Sequence, residues 1–198
     1  MFVRVITART SDREGLRHQG DRWINDVRPG AEGLLGATSG VTDDGTTIAL
    51  IRFEDEAAAR ANSDRPEQRA WWEQTAKYFD VEPMFRESSD VETVFDGGSD
   101  AAGFVQIIEG KVKDRARMAE LTTPAMMEQL RVAGPDIVGG IRVWLADGAF
   151  VEAAYFTGES DARDGESSSE FADADDEIAS PYDVTTFVDL HEPTFIAP

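Results

Sequence analysis

The chain has 198 residues, with 39 Asp or Glu against 19 Lys or Arg, so its formal net charge is −20. This charge argues against binding to nucleic acid or to an anionic membrane surface, because both partners require a basic face. The chain has no Cys, which excludes disulfides, thiolate nucleophiles and cysteine-ligated metal clusters.

The first half of the chain predicts the element order β-α-β-β-α-β. Its four predicted strands lie at residues 2–9, 33–41, 46–53 and 81–87. The run Ser11-Asp12-Arg13-Glu14 predicts a helix start, and Arg28-Pro29-Gly30 predicts the end of that helix. The second helix begins near Glu54, and Asp64-Arg65-Pro66-Glu67 predicts a break after which it resumes to about Phe79.

The second half of the chain predicts the same order. Its four predicted strands lie at residues 103–112, 137–145, 149–157 and 183–189. A helix begins at Asp114 with a break at Pro124, and a second helix is capped at Ser167. The tail at 190–198 contains two prolines and is expected to form an irregular arm.

Self-comparison indicates that the chain is a duplication. The run Phe2-Val3-Arg4-Val5-Ile6 matches Phe104-Val105-Gln106-Ile107-Ile108 at an offset of 102 residues, and Phe53 matches Phe156 at an offset of 103. Matches that keep their order at nearly one offset are not expected by chance. The predicted domains are therefore a repeat at 1–95, a linker at 96–102 and a repeat at 103–198.

The order β-α-β-β-α-β is that of the ferredoxin-like unit, so the predicted fold class is α+β with two tandem ferredoxin-like repeats. The strands at 46–53 and 149–157 are apolar on both sides for most of their length, which indicates burial of both sheet faces. Two sheets that face each other in a fused, pseudo-dimeric α/β barrel would bury them. Two separate domains are the alternative arrangement.

On these residues the chain resembles the dimeric α/β-barrel superfamily, and within it the tandem antibiotic-biosynthesis-monooxygenase-like proteins. The resemblance rests on the element order, the Phe-Val-Arg-Val-Ile start and the strand-to-helix junction from Phe53 to Arg60. It implies a monooxygenase-like enzyme that needs no cofactor and acts on a small aromatic molecule. Two alternatives stay open: a non-catalytic small-molecule-binding or stress-response barrel, and a structural or interaction module.

The resemblance also implies site residues in the first repeat, because cofactor-free oxygenases of this superfamily place a Trp, an Asn, a Tyr and an Arg around an aromatic substrate. Residues of these types occur together in this region, and Trp23 belongs to the same predicted wall. The candidate ligand-binding residues are Asn62, Trp71, Trp72, Tyr78, Arg86 and Trp23. The alternative is that one Trp packs in the core and the other covers the surface or contacts a second copy in a homodimer.

Charged residues inside apolar strands give a second set of candidates. Arg4, Arg52 and Glu152 each lie between apolar neighbours, and a buried ion requires a partner or a ligand. A position between the sheets would let them orient a polar substrate or form an internal ion pair. In the repeat alignment Glu152 matches Ala49 whereas Arg52 matches Tyr155, so these two side chains are expected on opposite sheet faces.

The remaining expectations concern metals, cofactors and location. The two histidines, His18 and His191, lie in separate elements and give no metal-ligand spacing, so neither a metal site nor haem is expected. No apolar run approaches the length needed to span a bilayer, and the segment Met1 to Ile6 does not have the pattern of a signal peptide. A cytoplasmic protein with a small apolar or aromatic ligand is the expectation.

Overall fold

The structure is a computed structural model that describes residues 1–95, 97, 102–121, 123–133, 136–160, 162–163 and 182–196. The chain divides into two compact units, one formed by Met1–Ser89 with His191–Pro198 and the other by Asp90–Leu190. The predicted repeats, 1–95 and 103–198, divide the chain by sequence similarity and stay a prediction. By contacts, residues after Ser89 and after Leu190 each belong to the other unit.

The first unit contains a five-stranded antiparallel sheet with helices on one face. Four of its strands are β1 (Phe2–Arg9), β2 (Leu34–Val41), β3 (Thr46–Phe53) and β4 (Met84–Ser88). Its helices are α1 (Arg13–Arg22), which continues into a π-helical turn at Trp23–Val27, α2 (Glu56–Asp64) and α3 (Pro66–Thr75). The strand order is β4-β1-β3-β2, and the fifth strand pairs with β2.

The second unit has the same strand order in its own five-stranded sheet. Its elements are β5 (Val91–Val94), β6 (Phe104–Val112), α4 (Arg115–Leu121), α5 (Pro124–Ala133), β7 (Ile137–Trp144), β8 (Ala149–Phe156) and β9 (Tyr182–Ile196). The order is β9-β6-β8-β7-β5, in which only the first part of β9 takes part. The predicted α+β class and the ferredoxin-like arrangement of strands are confirmed. The helix predicted at Ser167 lies outside the described residues.

The last part of β9 is the fifth strand of the first unit. Ile196, Phe195 and Thr194 pair with β2, so the prediction of an irregular arm at 190–198 is wrong. The prediction was based on the prolines, such as Pro193, because a proline has no backbone N–H to donate to a neighbouring strand. Here it falls at the register shift between Thr194 and His191 on an edge strand, where proline is tolerated.

The breaks predicted between helices are present. Pro66 begins α3 directly after Arg65, whose backbone is extended, and the side chain of Asp55 caps α2 by accepting from the backbone N–H of Ala58 at 2.9 Å. At α1 the capping residue is Asp12, which accepts from the backbone N–H of Gly15 at 2.8 Å. No helix in the described part of the chain is both long and apolar enough to cross a membrane.

Strand register decides which side chains face the helices. In the first unit Phe2 is paired with Phe53, and both pack in one cluster with Trp23 and Ala59 from the helical segments. Alternate residues therefore face the opposite side of the sheet, where Leu50 of β3 is also buried. The prediction that β3 is buried on both faces is confirmed. How the two sheets lie relative to each other stays a prediction.

Gly36 shows how closely the strands of the first unit approach a large side chain. Its φ angle is +133°, and a Cβ atom at this position would lie 2.4 Å from Nη2 of Arg52 and 2.7 Å from the carbonyl oxygen of Ile196. Glycine is therefore required both by the backbone conformation and by the space that the Arg52 guanidinium occupies.

We expect Gly36→Ala to lower the free energy of unfolding by about 1–3 kcal/mol, because it forces a side chain into a glycine-only conformation. Gly20→Ala is the matched control: Gly20 lies in α1 with open space where a Cβ would be, and alanine there should add about 0.5–1 kcal/mol. Urea denaturation of both variants measures the difference. Equal effects would contradict the strained conformation of Gly36.

Candidate functional site

The predicted tryptophans form a continuous row of aromatic rings in the first unit. The ring centroids of Trp23 and Trp71 lie 6.2 Å apart, and those of Trp71 and Trp72 lie 6.0 Å apart. The row continues from Trp72 to Phe79 at 5.9 Å and to Phe85 at 5.4 Å. These tilted and edge-on contacts fall within the range that aromatic pairs favour. Trp71 also packs against the core cluster of this unit, whereas Trp72 lies further along the row.

The two inner tryptophans have fixed hydrogen-bond partners. Trp23 donates from Nε1 to Oε1 of Gln68 at 2.8 Å, and Trp71 donates from Nε1 to the backbone carbonyl of Gln19 at 2.8 Å. A buried indole N–H requires such an acceptor. Gln68 was not found by reasoning from the sequence, because a single glutamine on a helix carries no signal of its partner.

Asn62 is buried and uses both ends of its amide within the protein. Its Nδ2 lies 3.4 Å from Oε1 of Gln68, and its Oδ1 accepts from Nη1 of Arg65 at 3.0 Å. Arg65 in turn donates from Nη2 to the carbonyl of Val27 at 2.9 Å. The structure therefore brings Asn62 and Trp23 to one glutamine, in a network that ties α2 and α3 to the end of the first helix.

A cavity of about 440 Å³ lies beside this row, between α1 with the residues just before it and the end of α3 with the residues just after it. Of the predicted site residues, only Tyr78 lines it. The lining residues are Ser11, Asp12, Gln19, Arg22, Gln74, Lys77, Tyr78 and Asp80. Its lining contains two acidic and two basic side chains, so its formal charge balances although the whole chain carries −20.

Tyr78 and Gln19 are held firmly in the cavity wall. The Tyr78 ring packs on Gly15, where a Cβ would lie 2.2 Å from Cε1, and the Tyr78 carbonyl accepts from Oγ1 of Thr10 at 2.7 Å. The Gln19 side chain is only 4% exposed, and its Oε1 accepts from Nη1 of Arg22 at 3.3 Å. Among the described residues, neither the Tyr78 hydroxyl nor Nε2 of Gln19 has a hydrogen-bond partner.

The charged lining residues are also engaged by neighbours, Asp12 as the cap of α1 and Arg22 as the donor to Gln19. Ser11 donates from Oγ to Oδ1 of Asp80 at 2.9 Å, and Lys77 donates from Nζ to Oε1 of Gln74 at 2.7 Å. These contacts lie at the exposed rim. The polar groups that remain for a ligand are the hydroxyl of Tyr78 and the amide of Gln19, with the rim carboxylate of Asp80 near them.

Arg86 lies away from the other predicted site residues. It is paired with Val5 in the sheet and donates from Nη2 to Oγ1 of Thr7 at 2.9 Å, which places it on the sheet face opposite the helices. Trp72 contacts Phe85 on the helix-bearing face. The alternation of side chains along β4 therefore separates Arg86 from the tryptophan row.

The charged residues predicted within strands fall on different faces. Arg4 donates to Glu87 at 2.6 Å and to Ser63 of α2 at 2.8 Å, so it lies on the helix-bearing face of the first unit. Arg52 lies on the opposite face, above Gly36. Glu152 is paired with Arg142, two residues before Trp144, and Arg115 of α4 lies over the Trp144 ring, so Glu152 lies on the helix-bearing face of the second unit.

Glu152 belongs to a chain of ion pairs in the second unit. Arg142 binds Glu152 at 2.6 Å and lies 3.9 Å from Glu92, which accepts from Arg115 at 3.0 Å. Arg115 also binds Asp90, and its guanidinium lowers the pKa of that carboxyl by hydrogen bonding. Sequence reasoning placed Glu152 in an apolar strand but did not identify its partner, which depends on the register of β7 against β8.

Metal-binding chemistry has no candidate in the part of the chain that the structure describes, since no group of three or more His, Asp or Glu side chains is placed to hold an ion there. His18 lies exposed on α1.

We expect Gln68→Leu to lower the free energy of unfolding by about 1–3 kcal/mol, because it leaves the buried N–H of Trp23 without an acceptor. Gln74→Leu is the control, since Gln74 is exposed and accepts only from Lys77. It should change stability by less than about 0.5 kcal/mol. Urea titration followed by tryptophan fluorescence compares the two. A Gln68 variant as stable as the control would show that its amide is not needed by Trp23.

Comparison with known proteins identifies the fold. No protein-family model matches the chain, and no curated protein matches it. Two solved structures named "putative monooxygenase" are similar over 99% of this chain. The one from Lactobacillus acidophilus NCFM has a TM-score of 0.75 at 13% identity over 95% of its own chain. The one from Fusobacterium nucleatum has a TM-score of 0.78 at 10% identity over 94% of its own chain.

An anthrone oxidase-like protein is also similar, with a TM-score of 0.57 at 10% identity over 98% of this chain and 92% of its own. At identities this low, structural similarity establishes a shared fold but does not show a shared activity. The predicted resemblance is thus confirmed as a likeness of fold, which covers nearly the whole chain in each of these structures.

Proposed function

We propose that the protein is a cofactor-independent, monooxygenase-like enzyme that binds a small aromatic molecule in the cavity of the first unit. The observation that carries the proposal is that Tyr78 and Gln19 line one cavity, and that the Tyr78 hydroxyl and Nε2 of Gln19 have no hydrogen-bond partner among the described residues. A volume of about 440 Å³ lies within the range of about 300–1,000 Å³ that is typical of small-molecule sites.

The lining indicates the kind of aromatic molecule. A hydroxyl and an amide N–H that lack protein partners favour a ligand with oxygen substituents, because these can accept or donate the missing hydrogen bonds. The wall residue Gln19 is itself fixed through its carbonyl to Trp71 of the aromatic row. A phenol or a ring ketone is therefore preferred over a plain hydrocarbon.

The proposed reaction needs no redox cofactor if the substrate itself supplies the electrons. A ring CH₂ group next to a phenol or ketone becomes a carbonyl, one atom of O₂ enters the product and the other leaves as water. The protein's part is to hold the substrate oxygen with Tyr78 and Gln19 and to accept a proton at the rim, where the carboxylate of Asp80 lies.

A non-catalytic small-molecule-binding barrel is the second candidate, and a specific observation favours it. Asn62 uses its amide within the protein, and Arg86 lies on the other sheet face. The residue types that surround the substrate in the oxygenases of this superfamily therefore do not meet around one cavity in this chain. A site formed by Tyr78 and Gln19 alone can bind without reacting.

We also propose the outer end of the tryptophan row as a surface that joins two copies of the chain in a homodimer. Phe85 is 47% exposed and Met84 beside it is 52% exposed, next to Trp72. If this face joins two copies, Trp72→Ala should lower the mass measured by light scattering from dimer to monomer. An unchanged mass would reject the contact.

We expect Tyr78→Phe to reduce kcat/KM for O₂-dependent oxidation of anthrone by at least about tenfold, because it removes one hydrogen bond to the substrate oxygen. Oxygen uptake with product analysis measures the rate, and calorimetry measures binding. His18→Ala, an exposed change on the same helix as Gln19, is the control and should leave both unchanged.

The outcomes separate the two candidates. Binding that depends on Tyr78 without oxygen uptake would replace the enzyme with a binding protein. Neither binding nor uptake across anthrone, naphthols and hydroquinones would reject both, and uptake that is insensitive to Tyr78 would place the reaction elsewhere.

A further inference from the structure

The cavity of the first unit has two cations on its wall that are not paired with a carboxylate. Arg22 donates from Nη1 to the amide oxygen of Gln19 at 3.3 Å, and Lys77 donates from Nζ to the amide oxygen of Gln74 at 2.7 Å. Both acceptors are uncharged, and neither cation forms an ion pair with a described residue. The protein therefore leaves both positive charges without a counter-charge, although its net charge is −20.

The carboxylates of the same wall have other partners. Asp12 accepts at Oδ1 from the backbone N–H of Gly15 at 2.8 Å, where it caps α1. Asp80 accepts at Oδ1 from Oγ of Ser11 at 2.9 Å. The two glutamine oxygens of the wall are occupied by the two cations. Each side-chain oxygen group of these four residues thus already has a donor.

The polar groups that keep spare capacity on this wall are mainly N–H donors. An arginine or lysine head group carries several N–H donors, and each of these two cations uses one of them within the described protein. Nε2 of Gln19 adds donors that have no partner among the described residues, on a side chain that is only 4% exposed. Because Arg22 holds the oxygen of that amide, the amide nitrogen lies beside the guanidinium. Neighbouring N–H donors with a positive charge match the two oxygens of a carboxylate.

We propose that the ligand of this cavity carries a carboxylate, which binds to Arg22 and to the amide nitrogen of Gln19, with Lys77 as the second positive charge. The proposal rests on the function proposed for this cavity and adds an acidic group to the molecule that binds there. An amide NH₂ group has two hydrogens, so Gln19 can serve both the carboxylate and the ring oxygen. The ligand class is therefore a carboxylic acid with an oxygen substituent at its far end.

The helix α1 sets the distance between the two ends of the ligand. The ring of Tyr78 lies against Gly15, and Arg22 is the last residue of the same helix. At a rise of about 1.5 Å per residue, Gly15 and Arg22 lie about 10 Å apart along the helix axis. Two fused rings with oxygen groups at opposite ends span such a distance. The ring oxygen then lies at Tyr78 and the carboxylate at Arg22.

The charges of the wall favour one negative charge on the ligand over two. Two acidic and two basic side chains line the cavity, so a carboxylate leaves one negative charge in excess. A phosphate monoester leaves nearly two, and Asp12 and Asp80 on the same wall repel the additional charge. Charges on the rest of the surface are screened beyond about 8–10 Å at ordinary salt, so the groups of the wall decide the preference.

Calorimetry on the full chain tests the carboxylate with a matched pair of probes. The acid is 6-hydroxy-2-naphthoate, and its partner is the methyl ester, which keeps the rings and the hydroxyl but has no charge. We expect the acid to bind at least about tenfold more tightly than the ester at low salt, and this preference to decrease as salt is added. The dianionic probe, 2-naphthyl phosphate, should bind more weakly than the acid.

Variants assign the preference to the wall. Arg22→Gln should remove most of the preference for the acid and leave the affinity for the ester unchanged, and the exposed position of Arg22 should let the fold survive. Arg17→Gln is the matched control, because it removes the same charge from an exposed position of the same helix that does not line the cavity. Lys77→Gln should also reduce the preference, and it keeps the test decisive if Arg22→Gln disturbs folding.

The results separate this proposal from the function proposed for the cavity. Equal affinities for acid and ester, both weakened by Tyr78→Phe, would overturn the carboxylate and leave the proposed function standing. A preference for the acid that Arg22→Gln removes, in a protein that takes up no oxygen, would support the carboxylate and reject the enzyme.

Three further outcomes would count against the carboxylate. A preference that survives both Arg22→Gln and Lys77→Gln, or that Arg17→Gln removes to the same extent, would show that these wall residues do not bind the acid. Tighter binding of the phosphate than of the acid would overturn the choice of a single charge. Binding of none of the probes would overturn both this proposal and the proposed function.

Discussion

The pairing of the first with the third strand in each unit is the constraint on which the other assignments depend. Phe2 is paired with Phe53 in one sheet and Phe104 with Phe156 in the other. Because side chains alternate along a strand, a shift of one residue would turn every core side chain to the other face. This register directs Arg4 and its neighbours at every second position toward the helices. This strand register therefore determines which neighbours surround each candidate residue that lies in a strand.

With similar backbones, the two units place different polar groups under their helices. The strand pair that joins Ser39 to Ala49 in the first unit corresponds to the pair of Arg142 and Glu152 in the second. The first unit therefore has small side chains at a place where the second holds an ion pair. Under its helices the indole N–H of Trp23 donates to Gln68, and that of Trp71 donates to the carbonyl of Gln19. In the second unit the ion pair gives the buried carboxylate of Glu152 its partner in Arg142.

Local patterns in the sequence were sufficient for most of the fold. Alternation with a period of two predicted the strands, and Pro66 together with Pro124 marked where helices begin. What was not predicted depends on contacts between distant residues. The strand pairing of Thr194 to Ile196 is one example, and the short strand at Val91–Val94 is another, since four residues give too little alternation to recognise.

The site was less predictable than the fold for the same reason. The cluster of Trp and Asn residues was visible in the sequence, but the side to which Arg86 points follows from the register of β4 on β1, which a single sequence does not reveal. Gln19 lies between core and cavity and looks like any helical glutamine. The role proposed for it rests on two observations together, the backbone carbonyl that accepts from Trp71 and the side chain that lines the cavity.

Low sequence identity to similar structures limits what the fold alone can say about chemistry. At 10–13% identity the sheet order and the position of the helices are shared, but the side chains that line a cavity are not determined. The cavity wall here balances its formal charge within a chain of −20, because Arg22 and Lys77 offset Asp12 and Asp80. A cavity whose formal charges balance does not repel an uncharged or weakly acidic aromatic molecule. The rest of the surface, which carries the net negative charge, would repel an anion. The local charge balance, rather than the fold, therefore supports the proposal that this cavity binds a phenolic ligand.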